Sequence, residues 1–187
     1  MPTTGLLLVL IGTALANRLL LRHGPLLGAR RPLQDGFAVA LASVFTLIAA
    51  LGIAALLGRA LQALELAWPS AIVLLLAVIP ALLATRLLLR RSLPGIPSSP
   101  RLLALLAGNA SAIGMALPGP GAPEDLLVTL LQGLAAGIGF GLLLLMFTVH
   151  DERLAATAVP AALRGTPLLL LGAAVLALAV LLGLRGH

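Results

Sequence analysis

Residues 36–58, 69–89, 126–149 and 166–184 are long apolar runs, and between them they hold a single charged side chain, Arg86. At a helical rise of about 1.5 Å per residue, each approaches or exceeds the roughly 30 Å of a bilayer's hydrocarbon layer. Backbone amides in hydrocarbon must be satisfied within the segment, so runs of this length read as membrane helices. The composition agrees: 60% of the residues are hydrophobic, only 10% are charged, and the mean hydropathy is +1.15. Water cannot solvate that much apolar surface, and a soluble core is excluded.

Two further apolar segments, residues 6–21 and 101–117, are shorter and carry polar residues where hydrocarbon is expected: Asn17 and Arg18 in the first, Gly108, Asn109 and Ser111 in the second. With them the chain has six spans and one integral membrane domain over residues 1–187. Residues 5–90 and 101–185 each run short span, long span, long span. Three spans is an odd number, so the second half must enter the membrane upside down relative to the first. The expected fold is therefore an all-α membrane protein, six transmembrane helices in a 3+3 inverted-topology repeat with short or interrupted first and fourth helices. In such repeats the interrupted helices meet near the bilayer midplane.

The connections are turn-rich: 22–35 (RHGPLLGARRPLQD), 92–100 (SLPGIPSSP) and 118–125 (PGPGAPED) are expected as loops. Residues 59–68 read as an amphipathic connector ending at an interfacial Trp68, and 150–165 as a polar-edged one. Pro69 suits a helix start, and Pro80 is expected to kink the third span. Ala14-Leu15-Ala16 mimics a signal-peptidase site, but the start has no basic residues and the apolar run resumes at once, so the segment is expected to be retained.

The twelve basic residues are all arginines. Arg22, Arg30, Arg31, Arg90, Arg91, Arg101, Arg153 and Arg164 fall in or beside the loops after spans one, three and five. The other side has Arg59 and Arg185 with the acidic Glu124 and Asp125. The positive-inside rule places both termini outside, in the periplasm of a bacterial inner membrane. Topology accounts for the net charge of +6, and nucleic acid is not an expected partner.

Polar groups inside the spans are the candidate pathway or helix-interface residues. Asn17, Asn109 and Ser111 could hydrogen-bond between helices or line a path. Arg18 is a candidate as well, as an ionisable group inside a span, and its competing, preferred reading is a side chain snorkelling to the cytoplasmic surface. Gly133, Gly137 and Gly141 recur every fourth residue and predict close helix contact, within the chain or with a partner. His150, Asp151 and Glu152 resemble a metal cluster in composition only, and read as a solvated, partly ion-paired loop beside Arg153. No carboxylate, histidine or lysine is expected deep in a span, so no proton relay is expected. The chain has no cysteine, which removes disulfides, thiolate metal sites and cysteine nucleophiles. No catalytic or metal-ligating residue is assigned.

From the fifth span onward the pattern is specific. GLAAGIGF (133–140), Glu152-Arg153-Leu154-Ala155, Val159-Pro160 and Arg164-Gly165 follow in order. Upstream come Gly12-Thr13, Leu15, Asn17, Pro25, Gly28, Asn109, Gly114, Ala116 and Leu117. Together they resemble the RnfA/NqrE membrane-subunit family over essentially the whole chain, and its A branch in particular. The resemblance implies six helices, an inverted repeat and an outside N-terminus. It also implies membership of an Rnf-type complex that couples electron transfer between ferredoxin and NAD, or NADH and quinone, to ion transport. The partners it implies are a paralogous E-type membrane subunit together with the other Rnf subunits. In the family each short helix supplies one cysteine and the paralogue two more, holding a [2Fe-2S] cluster in the membrane.

Here the matching positions are Gly24 and Ala110, and both short segments look about one turn shorter than the family's. Neither residue has a donor atom, and His23 alone cannot hold a cluster. The expected role is thus a non-catalytic membrane subunit that supports assembly and the transmembrane path and binds no cofactor by itself. The alternative is a stand-alone small-solute or ion transporter built on the same repeat.

Overall fold

The computed structural model describes residues 2–22, 32–66, 69–92, 100–117, 125–155 and 166–185. They form six helices: α1 Pro2–Arg22, α2 Pro32–Ala63, α3 Ser70–Ser92, α4 Pro100–Ala116, α5 Leu126–Ala155 and α6 Thr166–Arg185. No strand occurs among the described residues. Four helices, α1, α2, α3 and α5, are long and apolar enough to cross a membrane. α4 has 17 residues, and the described apolar part of α6 is Leu170–Ala179.

The helix boundaries follow local chemistry. α2 and α4 open on proline, whose missing N–H costs nothing in a first turn. At the start of α3 the Pro69 carbonyl accepts from the amides of Ile72 and Val73. Asp125 caps α5, its Oδ1 accepting from Leu127 N at 3.3 Å and its carbonyl from Thr129 N at 3.1 Å. The end of α2 is a Schellman turn, with Leu66 N donating to Leu61 O and Glu65 N to Gln62 O, both at 2.9 Å. Glu65 takes the left-handed position with φ of 57°, where a side chain is strained and glycine is not.

Several helices run further than the sequence suggests. α1 starts at Pro2 and reaches Arg22, so only α4 of the two polar-interrupted segments falls below spanning length. α2 begins three residues before Asp35, which is helical and buried, not in a loop. It also absorbs the first part of the expected connector, because residues 59–63 are good helix formers with nothing to stop them. α5 carries His150, Asp151 and Glu152 on its last turns for the same reason, so these residues are helical and not a loop. α3 continues through Pro80. Trp68, Pro25, Gly28, Val159, Pro160, Arg164 and Gly165 lie outside the described residues.

The α2–α5 pair forms the centre of the bundle. A Cβ at Gly141 would lie 3.4 Å from the Ala40 side chain, at Gly137 3.1 Å from the Val44 Cα, and at Gly133 2.8 Å from Leu51 and 3.6 Å from the Ile48 Cα. Toward the ends, Gly36 abuts Thr148 and Gly52 abuts Leu130. As one residue number rises the other falls, so the helices are antiparallel. Their ridges, both spaced by four, meet without side chains between the backbones. The glycine face is therefore occupied within the chain. Around this pair, α1 packs on α5, α4 on α2, α3 on both α2 and α4, and α6 on α1. The core is filled by Leu47, Leu51, Leu74, Leu106, Phe140 and Phe147, each almost fully buried.

Gly137→Leu is expected to cost about 1–3 kcal/mol by overpacking against the α2 backbone. Gly108→Ala, whose Cβ would meet open space, should be neutral or stabilising by up to about 1 kcal/mol. Denaturant unfolding in detergent micelles reads both. In the same assay Glu65→Gly should gain about 0.5–1 kcal/mol by relieving its left-handed backbone.

Candidate functional site

The two polar-interrupted helices meet through their asparagines. Asn17 Nδ2 donates to Asn109 Oδ1 at 2.6 Å and to its own helix at Thr13 O at 2.7 Å. Asn109 Nδ2 donates to Ser43 Oγ at 2.9 Å and to Asn17 Oδ1 at 3.3 Å. Each amide thereby spends both N–H donors and has its oxygen accepting, which removes most of the cost of burying it. The contact ties residues 92 positions apart and joins α1, α4 and α2. Ser43 is not among the residues singled out from the sequence; the available signal is that it forms, with Thr46, a polar i, i+3 pair within an apolar run.

A second polar contact lies one residue along. Arg18, 5% exposed, is not snorkelling. Its Nη2 donates to Asp151 Oδ2 at 2.6 Å, a salt bridge whose side chains are 6% and 15% exposed. Asp151 is therefore not in a solvated loop as its polar neighbours suggest. The continuation of α5 past Val149 puts the carboxylate inside the bundle, against α1. Leu10 also lies against Gly139, 3.7 Å from where a Cβ there would lie, so α1 and α5 run parallel and bring the two charges to one level.

A third contact links α2 to α3, where Thr46 and Thr85 share a hydroxyl hydrogen bond at 3.1 Å. Thr13, Thr46 and Thr148 also return their hydroxyls to their own helices, at Val9, Ala42 and Leu144. Asp151–Arg18, Asn17–Asn109–Ser43 and Thr46–Thr85 are thus three polar contacts that between them involve five helices.

The remaining candidates separate. Gly133, Gly137 and Gly141 lie in the α2–α5 contact, away from these contacts in function if not in helix. Ser111 is half-buried on α4, and Gly24 lies outside the described residues. Ala110, 1% exposed, is enclosed by Ala50 of α2 and by Val78 and Ala81 of α3. An iron–sulfur cluster needs donor atoms and room, and a methyl group packed among small apolar side chains of its own chain offers neither. Gly24 and Ala110, which the family resemblance matches to the cysteine positions, have no donor atom and do not fit that group. Among the described residues, no three His, Asp or Glu side chains gather to hold a metal ion. His150 instead lies against Gly172 of α6, its Nε2 3.5 Å from a built Cβ.

Asn17→Ala and Asn109→Ala should each lower stability, with a coupling energy between them of about 0.6 kcal/mol and no more than about 1.7 kcal/mol, the range for hydrogen bonds inside membrane proteins. A double-mutant unfolding cycle measures it, and a coupling of zero would show the amides to be independent.

No protein-family model matches the chain. Individual relatives do, over nearly its whole length. It is 30% identical over 180 residues to the A subunit of the ion-translocating oxidoreductase complex of Syntrophotalea carbinolica, covering 93% of each chain. The protein of the same name from Edwardsiella ictaluri is 30% identical over 185 residues, 94% of each. That from Shewanella amazonensis is 28% identical over 179 residues, 92% of this chain and 93% of the relative. End-to-end similarity at this level, on a bundle of apolar helices, identifies the lineage: the chain belongs to the RnfA family, the A subunits of ion-translocating oxidoreductase complexes.

Proposed function

We propose that this chain is the A-type membrane component of an Rnf-type complex in a bacterial inner membrane, paired there with its E-type paralogue and joined by other Rnf subunits. It supports assembly and the transmembrane path without ligating a cluster itself. The observation that carries this reading is the end-to-end match to A subunits combined with alanine at the second cysteine position, packed against its own helices. A chain that keeps the whole scaffold while filling the ligand position with a methyl group has a role in the assembly that does not run through an iron atom held here.

In this reading residues 5–90 and 101–185 are halves of an inverted repeat within a single membrane domain. Its support is the exchange of contacts: α1 sits on α5 as α4 sits on α2, α1 meets α6 as α4 meets α3, and α2 meets α5 antiparallel. Two contacts lack a comparable counterpart among the described residues: α2 on α3, against α5 on α6, and the smaller one of α1 on α2, against α4 on α5. Both termini face the periplasm, with the exposed Arg90, Arg91, Arg101 and Arg153 at cytoplasmic helix ends. Asn17, Asn109 and Ser43 hold the interrupted helices together at the heart of the path.

Purification of the tagged full-length chain from its native membrane in mild detergent is the direct test. The E-type paralogue should copurify in fixed stoichiometry, along with flavin- or ferredoxin-like subunits. A chain that emerges alone, under conditions that keep a relative's complex intact, would overturn the reading.

A further inference from the structure

Arg18 and Asp151 are not among the residues that carry the family resemblance, and their pairing is built in an unusual way. The guanidinium is buried, yet Nη2 to Asp151 Oδ2 is its contact, and its Nε is buried with no acceptor among the described residues. A buried ion pair repays desolvation only when its geometry is good and its remaining donors are satisfied. One contact among the described residues and an orphaned donor hold the guanidinium less firmly than a fully satisfied buried pair would.

The location makes the looseness usable. Asp151 stands near the end of α5 and Arg18 one turn before Arg22, where α1 ends. An arginine side chain can carry its charge over about that distance to an interface. The Asp151 side chain is the more exposed of the two, 15% against 6%, so the carboxylate is the more accessible member of the pair. Asn17, the neighbouring residue on α1, belongs to the Asn109–Ser43 network.

We propose that Asp151 is a binding site for a monovalent cation, H⁺ or Na⁺, with Arg18 as its resident substitute. A cation arriving at the carboxylate releases the guanidinium, which withdraws toward the end of α1; its departure lets Arg18 return. Carboxylate oxygen is a suitable donor for either ion. The step is an exchange of charges at Oδ2, with no covalent or redox change beyond protonation in the H⁺ case. The inference rests on the proposed role in an ion-translocating complex and deepens it by naming an ion site on this chain.

Among the described residues the charged groups around Asp151 are these. Arg18 faces Asp151 from α1. From α2 there is Asp35, adjacent to Gly36, which abuts Thr148 one turn before Asp151. His150, Glu152 and Arg153 flank it on α5, and α6 presents Gly172 to His150.

Perfusion-induced infrared difference spectroscopy on the full chain, in whatever assembly it purifies, tests the exchange. One arm replaces choline with Na⁺ at constant pH and ionic strength. The other lowers the pH in choline. The expected result is a carboxylate band shift in the sodium arm, or a protonated carboxyl band in the proton arm, that is absent from Asp151→Asn. In Arg18→Gln the same band should appear at a cation concentration at least about tenfold lower, because the competitor is gone. Arg18→Lys should shift it in the same direction by less, and it carries the comparison if Arg18→Gln does not fold. Spectra of the native chain that match Asp151→Asn in both arms would overturn the proposal. So would a midpoint unmoved by the Arg18 variants. The band belongs to this chain's own carboxylate, so failure here is distinct from failure to copurify with other subunits.

Discussion

Because Gly133, Gly137 and Gly141 of α5 lie over Ile48, Val44 and Ala40 of α2, these two backbones approach closely enough to leave no room for a side chain between them. Lipid tails are as apolar as leucine, so a membrane bundle gains little from burying hydrocarbon; packing and interhelical hydrogen bonds must hold it. The α2–α5 contact supplies the packing, with antiparallel ridges of equal spacing. It also fixes the positions available to the other helices. α1 packs on α5 and α4 on α2, and their polar residues meet in direct contact.

That arrangement explains how a chain with several polar side chains in its spans remains folded. Asn17 and Asn109 satisfy each other, and Ser43 takes the donor left over. Thr46 and Thr85 bond in the same way between α2 and α3. Each such contact contributes modestly in hydrocarbon, on the order of 0.6 kcal/mol. Their larger effect is on register, since sliding any one helix would strand several buried donors at once.

The six helices are legible in the sequence because apolar run length is a direct physical requirement of the bilayer, and turn residues mark their separations. The glycine repeat announces a close contact, and only the three-dimensional partner, α2, is hidden. The ends are harder. Residues 59–63 and 150–155 look like connectors because they are polar, but polarity does not terminate a helix that has good helix formers and no breaker. The difference matters most at Asp151, because the added helix beyond Val149 carries its carboxylate from solvent to Arg18. For the same reason Arg18 looks like a snorkelling residue, since its partner lies 133 positions away and no local pattern links the two. Ala110 is legible as a position without a ligand atom. Its enclosure by Ala50, Val78 and Ala81 is not, because it depends on how α3 and α4 cross.

α4 has a consequence beyond its hydrogen bonds. Its 17 residues make a helix of about 25 Å, against a hydrocarbon layer of roughly 30 Å. Lipid and protein must adjust to that mismatch, by local thinning or by water reaching further in at the helix ends. Either adjustment shortens the insulating path beside α4. With α4 as a span, the same transmembrane voltage would fall over a smaller distance there, and the electric field would be steeper beside this helix. A charge moved along this helix would cross the full potential in fewer ångströms than along any of its longer neighbours.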